Sequence, residues 1–68
     1  MKTYYGILIS ENTNTAYINE YTDCQLFNAI NTCLCVGTDL DTMTNIADKL
    51  NADMSGNKTY VVKLQKGV

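Results

Sequence analysis

The chain contains no histidine, arginine, proline or tryptophan. Without histidine, no side chain has an unperturbed pKa near neutrality, so serine- and cysteine-type catalysis with an imidazole base is excluded. Without arginine, two-pronged clamps on carboxylate or phosphate are excluded as well. The five basic residues are all lysine and face seven acidic ones, for a net charge of −2. That balance is poor for neutralising a phosphate backbone, so nucleic acid is not the expected partner. With 68 residues, the chain buries only about 60% of the surface its unfolded form exposes. Residues 1–68 are therefore expected to form one small domain, with no room for a separate catalytic lobe. No cofactor is expected, and an enzyme is the least favoured class.

Three cysteines occur, Cys24, Cys33 and Cys35. An odd number argues against a closed disulfide framework. On one helix Cys24 and Cys35 would lie roughly 16 Å apart along the axis, too far to share a metal. No histidine is available to complete a zinc set. The pair Asp39 and Asp41 lacks the glycine and glutamate of a calcium loop. No metal is expected. The apolar run near the amino terminus is too short for a signal-peptide core, and no stretch approaches a membrane-spanning length. These features point to a cytoplasmic protein with free thiols and no membrane partner.

What is present is a normal apolar fraction, 46%, distributed with clear periodicity. Residues Thr3 to Ser10 are rich in Tyr, Ile and Leu on both faces and read as a central strand. Glu11 to Asn14 reads as a turn, and Thr15 to Tyr21 alternates as the second arm of a hairpin. Thr22 and Gln25 form a T-x-x-Q capping box. A helix is expected from Asp23 to about Val36, with Gly37 just past its end and Leu26, Phe27, Ile30, Cys33 and Leu34 on one core-facing stripe. Thr32 to Val36 also suits a short strand, but the continuous stripe favours the helix.

Thr38 is expected to open a second helix, with Asp41 at the capping-box position and Asp39 and Asp41 in the first turn. Leu40, Met43, Ile46, Ala47, Leu50 and Met54 share its apolar face, and Ser55-Gly56 ends it. Lys58 to Gln65 reads as a last strand. The expected fold is α+β, a two-layer ββααβ arrangement. Its three-stranded sheet has the order 2-1-3, with both helices packed on one face.

That arrangement makes a prediction about function. With the helices over Ile7, Ile9, Ala16, Ile18, Tyr60, Val62 and Leu64, strand alternation sends Tyr4, Leu8, Tyr17, Tyr21 and Val61 to an uncovered face, beside Lys63. An apolar, tyrosine-rich sheet face suits protein association. The expected role is a non-enzymatic protein-interaction module. It would be an accessory or inhibitory protein of the kind phages and mobile elements carry, occupying the surface of a host protein. A homodimer built on the same face is the alternative, and a weak single-stranded nucleic-acid binder a more remote one. Asp39, Asp41, Asp48 and Asp53 form a secondary acidic surface on the second helix.

Overall fold

The computed structural model describes residues 2–63. Its elements follow in the order β1 (Tyr4–Ser10), β2 (Thr15–Tyr21), α1 (Asp23–Ala29), a 3-10 turn (Ile30–Thr32), β3 (Cys35–Gly37), α2 (Leu40–Met54) and β4 (Val61–Val62). The fold is α+β, with two helices and a mixed four-stranded sheet of order β3-β1-β2-β4.

β1 and β2 form the hairpin, in register from Tyr4 opposite Tyr21 to Ser10 opposite Thr15. Asn14 takes a positive φ of 51° in the connecting turn, a conformation its short polar side chain tolerates better than most. α1 starts as expected. The Thr22 hydroxyl accepts from the Gln25 backbone N–H, and the Gln25 side chain accepts from the Thr22 N–H. The helix then stops at Ala29 instead of continuing to Val36. The chain tightens into the 3-10 turn, and Cys35–Gly37 becomes a strand antiparallel to β1, with Ile7 opposite Cys35 and Tyr5 opposite Gly37. Gly37 is thus a strand residue and not a helix stop. The physical reason is the second edge of β1: its N–H and C=O groups need partners, and the segment after α1 supplies them. Gly37 also lies against α2, where an added Cβ would come within 2.7 Å of Met43 Sδ.

The last strand differs too. It pairs parallel with β2, Ile18 opposite Val61, and not with β1. Its described part is Val61–Val62, and Leu64 and Gln65 lie outside the described residues. The three-strand order 2-1-3 is therefore replaced by a four-strand order in which β1 and β2 are both central.

α2 is capped by Asp39, not Thr38: the Asp39 carboxylate accepts from the Thr42 backbone N–H at 3.0 Å and from the Thr42 hydroxyl. Those two bonds hold its carboxyl below the ordinary aspartate range. The helix ends with Gly56 at φ 74°, where the Gly56 and Ser55 N–H groups both reach the Asn51 carbonyl. Its buried face, Met43, Ala47 and Asn51, packs on Ile7, Ala16 and Ile18, with Leu40, Leu50 and Met54 half-buried around them. Ile46 sits at the rim.

α1 does not join α2 on this face. Ile7 points toward α2, so Gly6 points the other way. An added Cβ at Gly6 would lie 2.6 Å from Cys33 Sγ and 3.0 Å from the Tyr21 ring. The segment after α1 therefore lies over the opposite face of the sheet, at the Tyr4–Tyr21 end, and Gly6 makes the close approach possible. The expected placement of both helices on one face gives way to one element on each.

Candidate association surface

Strand alternation and the two covering elements decide where each expected surface residue lies. Tyr4, Leu8, Tyr17 and Tyr21 do share the face opposite α2. Tyr21 is nevertheless buried, beneath the segment that follows α1. Its hydroxyl oxygen lies 3.7 Å from Cys33 Sγ, and burial raises its pKa above the ordinary phenol value, with Cys33 adding to the shift. Tyr4 is tied to the first residue of α1. Hydrogen bonding to Asp23 raises the phenol pKa. Two of the five expected face residues are thus engaged by the chain itself, which corrects the expectation of a wholly uncovered face.

Val61 is not on that face. It packs against the core on the α2 side, and its neighbours Tyr60 and Val62 turn outward instead. The reason is the parallel pairing with β2, which sets Val61 beside Ile18 and so gives it the same orientation. Tyr60 stacks on Tyr17, ring centroids 5.1 Å apart and planes 2° from parallel. Lys63 reaches Glu20 on β2 at 3.7 Å, with its own side chain largely exposed. On this face Leu8 and Tyr17 are half-buried, and Tyr60 and Val62 are exposed beside them.

The larger exposed apolar groups lie elsewhere, on the segment expected to be core. Phe27 is 85% exposed, Leu34 61% and Ile30 50%. No residue of α1 or of the 3-10 turn is buried. Phe27 and Ile30 stand three residues apart, neighbours on one side of the last turn. The surrounding chain is uncharged: residues 24–38 contain no Asp, Glu, Lys or Arg. The sequence signal was present, a helical stripe in an uncharged segment. The stripe is not a core face because α1 ends at Ala29.

The acidic residues Asp39, Asp41, Asp48 and Asp53 are exposed on α2 and at its cap. Asp39 is occupied as the cap. Among the described residues, no three His, Cys, Asp or Glu side chains come together as a metal set. All three cysteines are free; Cys24 is exposed and Cys33 and Cys35 are half-buried. Cys35 packs on the core. No described helix is long and apolar enough to cross a membrane.

A second cluster is polar and structural. Asn51, 1% exposed on the inner face of α2, brings its amide to the edge of β2. Its carbonyl oxygen accepts from the Ala16 N–H, and its Nδ2 donates to the Ala16 carbonyl and the Thr59 hydroxyl, both at 2.9 Å. The side chain pairs with Ala16 as another strand would, just before β4 takes over with Ile18 donating to the Tyr60 carbonyl. Asn57 Nδ2 adds bonds to the Thr13 carbonyl and the Thr15 hydroxyl. Sequence reasoning did not single out Asn51. The available signal was its spacing, four residues beyond Ala47 on the apolar stripe of α2.

No family model, curated protein or solved structure matches this chain.

Proposed function

We propose that this chain is a non-enzymatic protein-interaction module, acting through the uncharged segment of residues 24–38. The observation that carries the reading is the exposure of Phe27, Ile30 and Leu34 in a segment without charge. A domain this small has few large apolar side chains to bury. Leaving three of them in water on one segment forgoes stabilisation of about 1.5–3 kcal/mol for each that could have been fully buried. Surfaces of this kind mark sites where protein is bound. The side-chain inventory supports the non-enzymatic part, since imidazole and guanidinium are both missing. An accessory or inhibitory role, in which the module covers a partner's working surface, is one use of such a segment.

The test is an affinity capture with tagged wild type and tagged Phe27→Lys. Each is offered both the lysate of the native host and an untagged copy of the chain. The expected result is a stoichiometric protein, foreign or a second copy, held by wild type and lost by the variant. Absence of any stoichiometric protein, or equal capture by both, overturns the reading.

A further inference from the structure

The free edge of β3 deepens that reading, on which it rests, by identifying the partner. Ala16 and Ile18 turn their N–H groups outward, to Asn51 and to Tyr60. Their hairpin partners Ile9 and Ile7 therefore turn theirs toward β3. Cys35 and Gly37, opposite Ile7 and Tyr5, face inward to meet them. Val36, between them, points its N–H and C=O away from the sheet. β3 is one of the two end strands of the order, so among the described residues this donor and acceptor meet no further strand.

We propose that two copies of the chain join through β3, antiparallel about a twofold axis at Val36. Each Val36 N–H donates to the Val36 carbonyl of the other copy. Three observations select a second copy over a foreign chain. First, an outward-facing residue at the centre of a three-residue strand is self-complementary: its donor and acceptor match those of its own image. Second, in a twofold contact every side chain near the axis approaches its own copy, so a charge there would repel itself. Residues 24–38 carry none, although the protein has a net charge of −2. Third, the edge carries neither a charged side chain nor a proline, two of the devices that keep strands apart. At the other end of the sheet Lys58 and Lys63 flank β4. A stable interface takes roughly 800 Å² from each partner. A three-residue ladder supplies only part of that area, and the exposed Leu34, Ile30 and Phe27 lead directly into it.

The test measures the molar mass of the full chain by light scattering or sedimentation equilibrium, from micromolar to millimolar concentration. Two variants are compared with wild type. Val36→Pro removes the N–H that faces away from β1, at an edge position where proline is tolerated. Leu34→Lys adds a like charge on each side of the axis at an already exposed site. Wild type is expected to reach twice 7.6 kDa. Each variant is expected to weaken association at least tenfold, with an unchanged far-ultraviolet spectrum. A wild type that stays monomeric throughout overturns the proposal. So does a dimer that survives Leu34→Lys, or one that survives a folded Val36→Pro. In either case capture of a foreign protein that is lost in Phe27→Lys would leave the broader reading standing, whereas capture of nothing would remove both.

Discussion

Beyond β2 the sheet ends in polar side chains, and beyond β1 it ends in an uncharged strand of three residues. On the β2 side, Asn51 and Asn57 satisfy the backbone of the hairpin turn and first rungs, β4 continues the ladder, and Lys63 meets Glu20. On the β1 side, β3 covers only Tyr5 to Ile7, and the segment that delivers it leaves Phe27, Ile30 and Leu34 in water. On the first side, Ala16 and Ile18 of β2 find their partners within the chain. The second stops short, and its large apolar groups lie half or more in water among the described residues. A side chain that is both large and unused by the core is free to serve an interface, and that contrast is why we propose association on the β1 side.

The contrast can be broken most severely at Asn51. Asn51→Ala leaves the Ala16 N–H and C=O without their partner in a buried site, and removes a bond from Thr59. The expected loss is about 3 kcal/mol, a large share of what so small a domain holds. Thermal melting followed by circular dichroism checks it. If the melting temperature hardly moves, the β2 edge is not held by this side chain and the distinction between the edges fails.

A smaller effect is expected on the other face. Gly6→Ala drives a Cβ against Cys33 Sγ and the Tyr21 ring, at a cost of roughly 1–3 kcal/mol. Because the clash is with the thiol, Gly6→Ala combined with Cys33→Ala should recover most of that cost, since the Cys33 Cβ itself is 3.4 Å away. A double-mutant cycle measures the coupling. Additive losses would mean that the segment after α1 does not rest on Gly6.

The hairpin, the capping box at Thr22 and the long amphipathic helix were legible because each depends on neighbours close in the chain. Alternation marks Thr15 to Tyr21, and the 3.6-residue repeat marks Leu40 to Met54. The extent of α1 was not legible. Leu26, Phe27, Ile30, Cys33 and Leu34 fit a helical stripe as well as any core helix does, and the choice of strand at Cys35–Gly37 is made by the second edge of β1, about thirty residues away in the chain. The partner of the last strand is fixed in the same way, by contacts at long range. A pattern of apolar residues says that Tyr60 to Val62 form a strand but not beside which neighbour, and the neighbour decides which face Val61 takes. The site residues were affected in proportion. Tyr17 kept its face, Val61 lost it, and Tyr21 was covered by a segment that local periodicity had sent elsewhere.

The uncharged segment ends at Asp39, and a mild acid-side effect is expected there. Its carboxyl is held below the ordinary range by two bonds from Thr42. A depressed carboxylate contributes stability that is present above its unfolded-state pKa, about 3.9, and is lost as pH falls through the folded value. Wild type should therefore lose stability over that acid window in excess of Asp39→Asn, which keeps an acceptor for the Thr42 N–H without a titrating group. Equal pH profiles from denaturant melts would show that the capping bond is not linked to proton uptake.

The smallest effect is expected at the most exposed of the large apolar side chains. Phe27 is 85% exposed, so Phe27→Ser removes almost no buried area and should change the stability of the dilute monomer by less than about 0.5 kcal/mol. The same substitution in a core position would cost several kcal/mol. A near-zero value at dilution, together with a loss of melting temperature that appears only as wild-type concentration rises, would separate a side chain kept for association from one kept for folding. A large loss at dilution would instead place Phe27 within the folded core and return α1 to the role its periodicity first suggested.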